Sequence, residues 1–368
     1  MVMFAGTFND KRVFLTGHTG FKGSWMSLWL HMLGARVFGY SLPPRPGTDL
    51  RADLPANIWQ REWAADIRDE GLLSSAIAEA SPDIVIHMAA QPLVRLSYAQ
   101  PLETFSVNAW GTAMLLDIVR RSRCAASVLV VSSDKCYHNT NSGTPFCEND
   151  PLGGSDVYSM SKAATEMVAA AWHKSFFALD DALGAMATAR AGNVIGGGDY
   201  AADRIIPDSV RAHVAGETLV MRNPSATRPW QHVLECLSGY LSLAQRLLTH
   251  PKDKTLLSLN FGPDPESERT VGEVIEAFHA VWPGSWEVRA DPNAVPEATR
   301  LTLNHQRSVE VLGWRPVWNF ATTITRTAEW YQKRHAGSEV NLAELSRAQI
   351  MGYAEDASTH GLSWAVED

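Results

Sequence analysis

Lys11-Arg12-Val13-Phe14-Leu15-Thr16-Gly17-His18-Thr19-Gly20-Phe21-Lys22-Gly23-Ser24-Trp25-Met26-Ser27-Leu28-Trp29-Leu30 decides the fold, because it passes from a strand through a glycine turn into an apolar helix. The spacing is Gly-x-x-Gly-x-x-Gly. Gly17 permits a tight turn, Gly20 lets backbone approach a pyrophosphate, and Gly23 allows close helix packing while N–H groups face the anion. Such a glycine match is weak in isolation. Its place between a strand and a helix is the context that a dinucleotide fingerprint requires.

Outward from this stretch the chain keeps an alternating rhythm. Strands are predicted near 12–16, 36–40, 83–87, 127–132 and 184–190, and helices near 21–33, 101–121 and 158–176. That pattern predicts an α/β fold, a Rossmann-like doubly wound parallel sheet. The second strand ends in Ser41-Leu42-Pro43-Pro44-Arg45, with no acid at its tip to grip an adenosine ribose. Arg45 is a candidate for the extra phosphate of NADP, or a solvated surface charge. Asp66 can accept from an adenine amino group or cap the helix near Glu70. NAD is the expected cofactor, with NADP not excluded.

A second constellation lies further on. Ser132-Ser133-Asp134-Lys135 follows the apolar run Val128-Leu129-Val130-Val131, so these polar groups emerge at the carboxyl end of a buried strand, where open α/β sheets bind ligands. Tyr158-Ser159-Met160-Ser161-Lys162 opens a helix, and Tyr158 and Lys162 share one face of it. An ammonium there is expected to favour the phenolate and lower the tyrosine pKa, making a usable base. Each motif has a bland alternative: Tyr-x-x-x-Lys also occurs on solvated helix faces, and Ser-Asp after a strand is common turn chemistry.

Composition excludes other classes. A net charge of −8 with dispersed basic residues argues against general nucleic-acid binding, and no uncharged apolar run is long enough to span a membrane. No signal peptide is evident in residues 1–10. Cys124, Cys136, Cys147 and Cys236 show no Cys-x-x-Cys spacing, so neither metal ligation nor a disulfide framework is expected, and reduced thiols place the chain in the cytoplasm. Cys136, beside the proposed site, reads as a packed small residue. Of thirteen tryptophans, Trp25, Trp29, Trp314 and Trp330 read as core.

The ordered blocks Thr16–Trp25, His87-Met88-Ala89-Ala90-Gln91-Pro92-Leu93-Val94-Arg95, Val107–Thr112, Ser133–Tyr137, Arg190–Asp199 and Arg228–Val233 resemble the extended short-chain dehydrogenase/reductases, and within them the nucleotide-sugar 4,6-dehydratases, the CDP-glucose branch above all. The resemblance runs from residue 12 to about 320. It implies that Tyr158 is the base for sugar oxidation, that Lys162 holds the nicotinamide ribose, and that Ser133 hydrogen-bonds the sugar hydroxyl. Asp134 would protonate the hydroxyl leaving carbon 6. Lys135, where many relatives carry Glu, would take the carbon 5 proton as a neutral base or stay charged and stabilise the enolate. The cofactor would touch Gly17, Thr19, Gly20, Phe21, Lys22, Gly23, Ser41, Asp66, Ile67, Ala89 and Ala90. Substrate contacts would come from Gln91, Arg95, Asn193, Arg204, Arg222 and Arg228. His232 reads as structural.

An epimerase of the same fold would need the glycines and the Tyr158/Lys162 pair but not Asp134-Lys135; a non-catalytic cofactor-binding scaffold is the third reading. Residues 1–195 are expected to form mainly the dinucleotide domain, 196–335 mainly an interleaved sugar-nucleotide lobe, and 336–368 a tail that packs on a partner subunit or on its own chain. The helices beginning near Pro101 and Tyr158 carry apolar residues on more than one face (Met114, Leu115, Ile118; Met167, Val168, Ala171), which predicts a homodimer or a dimer of dimers.

Overall fold

The structure, a computed structural model, describes residues 2–44, 50–124, 126–289, 301–337 and 340–366. Arg45, weighed as an NADP contact, lies outside the described residues. The first strands are β1 (Arg12–Thr16), β2 (Arg36–Ser41), β3 (Trp59–Ala64), β4 (Ile84–His87), β5 (Ser127–Val131) and β6 (Met186–Ala191). Later come β7 (Val194–Ile195), β8 (Leu219–Met221), β9 (Thr227–Pro229), β10 (Gln231–His232), β11 (Leu257–Phe261), β12 (Glu268–Thr270) and β13 (Trp286–Val288). Seven form one parallel sheet in the order β11-β6-β5-β4-β1-β2-β3. The order reverses at β1 and β4, which places the binding crevice at their carboxyl ends.

The central strands read as unbroken apolar runs because both of their faces are covered. The helices are α1 (Phe21–Met32), α2 (Glu70–Ala80), α3 (Val94–Ala99), α4 (Pro101–Phe105), α5 (Gly111–Ser122), α6 (Val157–Trp172), α7 (Ile205–Ala215), α8 (Val233–Thr249), α9 (Val271–Val281), α10 (Gln306–Leu312), α11 (Phe320–His335) and α12 (Leu342–Thr359). On one side of the sheet, Leu73, Ile77, Leu115, Ile118 and Ala169 of α2, α5 and α6 pack in a core with Phe14, Phe38 and Val128. On the other, Trp25 and Trp29 of α1, Tyr240 of α8 and Tyr353 of α12 join Trp314 and Trp330. Trp25, Trp29, Trp314 and Trp330 are thus core, as read.

The structure corrects several boundaries. The helix expected over 101–121 is α4 and α5 joined by a π-helical turn at Ser106–Trp110, and the one expected over 158–176 ends in a second π turn at His173–Phe177. Strand β3 escaped the reading because only Trp59 and Trp63 of its six residues are buried, the pattern of a sheet edge. The tail packs on its own chain: α12 lies against α1, and the Phe4 N–H donates to the Trp364 carbonyl.

Candidate active site

The tight turn at Gly17 and the close packing at Gly23 are both present in the geometry. Gly17 has φ +75°, and a Cβ there would stand 2.8 Å from the Ala89 nitrogen, so the ends of β1 and β4 touch. A Cβ on Gly23 would lie 2.0 Å from the Gly17 carbonyl oxygen. Gly20 caps α1 without a side-chain hydrogen bond, leaving first-turn N–H groups available for an anion. Thr19 Oγ1 and Ser41 Oγ are 2.8 Å apart, and Ile67 lies under Gly111.

No carboxylate stands at the tip of β2, but one reaches this loop from β3. Glu62 accepts a 2.9 Å contact from His18 Nε2 and both ends of the Arg51 guanidinium, a pairing that sequence reading missed because β3 was missed. Asp66 caps no helix: its carboxylate takes the N–H, Nε and Nη2 of Arg68, while Asp69 caps α2 by accepting from the Leu72 N–H. Gln91 is also spent within the protein. Its amide donates to the Leu93 carbonyl and to Thr104 Oγ1 and accepts from the Leu93 N–H, so it shapes the loop after Ala89 and Ala90. Asn108 ties that loop to α6, accepting from the Gln91 N–H at 2.8 Å and donating to Ser161 Oγ at 2.9 Å.

The catalytic candidates meet at the carboxyl end of β5. Asp156 caps α6 by accepting from the Ser159 N–H at 2.9 Å, which sets Tyr158 in the first turn and Lys162 one turn later on the same face. Tyr158 stands beside Ser133, whose hydroxyl favours its ionised form, and Ser133 Oγ donates to Asp134 Oδ1 at 2.8 Å. Tyr158, Lys162, Ser133 and Asp134 are all buried, whereas Lys135 is half-buried. A Cβ on Gly192 would come within 3.0 Å of Asp134 Oδ2, so a larger residue would press on the carboxylate.

The expected fall in the tyrosine pKa is not found. Burial pushes the Tyr158 phenol up to about 12, against the Ser133 hydrogen bond and the Arg204 charge that favour its ionised form. Burial and the neighbouring Lys22 bring Lys162 down to about 8. Spacing on a helix reveals proximity but not desolvation, and desolvation wins here. Burial likewise raises Asp134, outweighing Lys135, Ser133, Arg228 and Lys22. The Lys22 charge thus acts on both Asp134 and Lys162.

Around this centre, Arg204 is ion-paired to Asp199 at 2.8 Å, and buried Arg228 donates to the Thr227 carbonyl. Arg95 of α3 and Arg222 after β8 converge on Asp203, at 3.7 and 3.2 Å. Asn193 is half-buried, and its carbonyl accepts from the Gln231 N–H. His232 is buried and caps α8 through Nδ1, between Trp25 and Trp318.

Fold and site together define the class: a doubly wound parallel sheet of the extended short-chain dehydrogenase/reductase kind, with its Tyr/Lys pair at the switch-point crevice. The family model described as GDP-mannose 4,6 dehydratase matches residues 14–327, and the chain belongs to that family. It is 44% identical over 348 residues to the CDP-glucose 4,6-dehydratase of Salmonella typhimurium, covering 93% of this chain and 96% of the relative. Among solved structures, the NAD complex of UDP-glucose 4-epimerase from Thermus thermophilus is similar with a TM-score of 0.74 at 23% identity, covering 87% of this chain and 98% of that one. The NAD complex of dTDP-glucose 4,6-dehydratase from Bacillus anthracis str. Ames has a TM-score of 0.70 at 21% identity, covering 88% and 97%.

Proposed function

We propose that this chain is an NAD-dependent nucleotide-sugar 4,6-dehydratase that converts CDP-glucose to CDP-4-keto-6-deoxyglucose and water. The observation that carries this reading is Asp134: a carboxyl hydrogen-bonded to Ser133, beside Tyr158, and held toward its protonated form by burial. An epimerase needs no such acid. The relative from Salmonella typhimurium supports CDP-glucose as the substrate. The uncapped α1 start and the close approach at Gly17 fit a dinucleotide pyrophosphate.

NAD, when bound, supplies a reversible hydride acceptor, so that hydride leaves carbon 4 and returns to carbon 6 without net consumption. Tyr158, in its phenolate form, takes the proton of the carbon 4 hydroxyl while Ser133 orients that hydroxyl; the positive charge of bound NAD would add to that of Arg204 in favouring the phenolate against burial. The resulting ketone acidifies the carbon 5 proton. Lys135 removes that proton, or stabilises the enolate as a cation, and Asp134 protonates the departing hydroxyl at carbon 6. Lys162 holds the nicotinamide ribose, Arg95, Arg204, Arg222 and Arg228 meet the diphosphate side of the substrate, and Asn193 borders it. Residues 196–335 contribute most of this substrate lobe, and the product feeds deoxysugar assembly such as that of a lipopolysaccharide O-antigen in a cytoplasmic step. Among the described residues no helix is long and apolar enough to cross a membrane.

Two copies associate through α4, the π turn after it, and α6, where Leu102, Trp110 and Met167 are 84%, 59% and 62% exposed. The deciding experiment incubates the protein and NAD with CDP-, dTDP-, UDP- and GDP-sugars and follows product by NMR. A 4-keto-6-deoxy product formed fastest from CDP-glucose is expected; a 4-epimer, or no 4-keto-6-deoxy product from any of them, sinks the reading.

A further inference from the structure

The roles of Ser133, Asp134 and Lys135 require that one short turn stay fixed against Tyr158 and Lys162, which belong to another element. Ser132, the residue before this turn, donates its hydroxyl to the Glu166 carboxylate. Tyr137, just after the 3-10 turn Asp134–Cys136, accepts from Arg190 Nη1 at 2.8 Å and donates to Asn260 Oδ1 at 2.7 Å. Glu166 and Arg190 are in turn paired with each other, Nη2 to Oε2 at 2.8 Å, with side chains only 2% and 4% exposed. Both ends of the turn are therefore fastened to one buried ion pair.

The same ion pair reaches the other half of the site. Glu166 follows Lys162 by one helical turn and Tyr158 by two, on the face of α6 that points to the sheet. Thr188 of β6 adds a 2.8 Å hydrogen bond to the same carboxylate, and the Arg190 guanidinium also donates to the Glu148 carbonyl and lies 5.0 Å from the centre of the Tyr137 ring. Stability alone is a poor reason for this arrangement. Burying two ions costs several kcal/mol each, and well-packed apolar residues often do as well or better. What apolar residues cannot supply is direction: a carboxylate and a guanidinium fork fix the hydroxyls of Ser132 and Tyr137 at set angles.

We propose that Glu166 and Arg190 are positioning residues, a buried clamp that holds the Ser133-Asp134-Lys135 turn in register with Tyr158 and Lys162 by gripping Ser132 at one end and Tyr137 at the other. For its kinetic readout the proposal rests on the dehydratase reading. Removing either charge would strand its partner in the interior, so the informative variants act at the two grips. Ser132→Ala should lower kcat roughly tenfold or more while KM and NAD affinity stay within about twofold, because binding groups are untouched and only the reacting geometry loosens. Ser132→Thr, which restores a hydroxyl, should recover most of that loss, and Tyr137→Phe should lower kcat in the same way from the other end.

A kcat within about twofold of the native value in Ser132→Ala overturns the clamp, as does a loss that resides in KM or that merely follows a lowered melting temperature and resists rescue by Thr. Crystal structures of the native chain and of Ser132→Ala give a readout that needs no turnover: the turn should shift relative to Tyr158, and an unmoved turn overturns the proposal. A native protein inert on every nucleotide sugar tried would overturn the dehydratase reading, and the structural comparison would still decide the clamp.

Discussion

Asp134 and Lys135 are neighbours with different surroundings, and that difference assigns their tests. Asp134 is buried enough for desolvation to outweigh four favourable partners, which shifts it toward the protonated form that a general acid needs. Asp134→Asn should leave hydride removal intact but slow elimination by about a hundredfold or more, the scale typical of losing a general acid. Reduced nicotinamide should then accumulate in a single-turnover absorbance trace, and a normal elimination rate would count against Asp134. Lys135 is half-buried at the edge of the same centre. If it is the base, Lys135→Arg should lose carbon 5 proton exchange with solvent, because arginine does not deprotonate at working pH. Exchange that persists near the native rate, with the substrate bound normally, would leave Lys135 as a fixed cation. Sequence spacing located all of these residues; it misjudged the sign of the Tyr158 shift because neighbours on a helix are visible in sequence and burial is not.

The helices α4 to α6 illustrate how a second apolar stripe divides once the chain folds. Leu115 and Ile118 disappear into the core and Met114 and Val168 pack at its margin, whereas Met167 and Ala171 stay exposed. The surface stripe that remains runs through Leu102, Phe105 and Trp110 and across to Met160 and Met167. Placing a charge there should oppose association without touching the core. Met167→Glu is expected to give a monomeric mass by light scattering at micromolar concentration with an unchanged far-ultraviolet CD spectrum. A dimeric mass for this variant, or a monomeric mass for the native chain, removes this face as the interface.

At the scale of the whole molecule, Glu235 joins elements far apart in sequence. Its buried carboxylate on α8 accepts from the Val317 and Trp318 N–H groups, 3.0 and 2.6 Å away, and from the Tyr353 hydroxyl of α12 at 2.7 Å. The C-terminal helix is thereby latched over α1, whose Trp29 packs edge-on against Tyr353. Burial pushes Glu235 up to about 7, against the hydrogen bonds that favour its charge. An unfolded glutamate titrates near 4.3, so the folded state holds this proton more tightly, and the group's contribution to stability is present below about 4.3 and is lost as pH rises to about 7. Glu235→Gln removes that dependence. Its stability relative to the native chain should therefore climb by up to roughly 3 kcal/mol between pH 4.5 and 7 and then level off. Urea melts at several pH values test this; a difference flat across the range would show that Glu235 ionises normally in place.

The strand–glycine–helix start, the parallel sheet that follows from it and the two motifs at its carboxyl edge were legible in the order of residues. These are local signals: glycine spacing, apolar runs and a helical repeat are written in consecutive residues. Folding was needed to show that β3 and β11 flank the sheet, that the carboxylate at the glycine loop is Glu62 of β3, beside Ser41 at the tip of β2, and that the C-terminal helix covers α1. It alone joined Ser132, Tyr137, Glu166 and Arg190 around one ion pair. Such contacts depend on which surfaces lose water together, and the cost of that lost water, which set the proton affinities of Asp134, Tyr158, Lys162 and Glu235, exists only once the chain is packed.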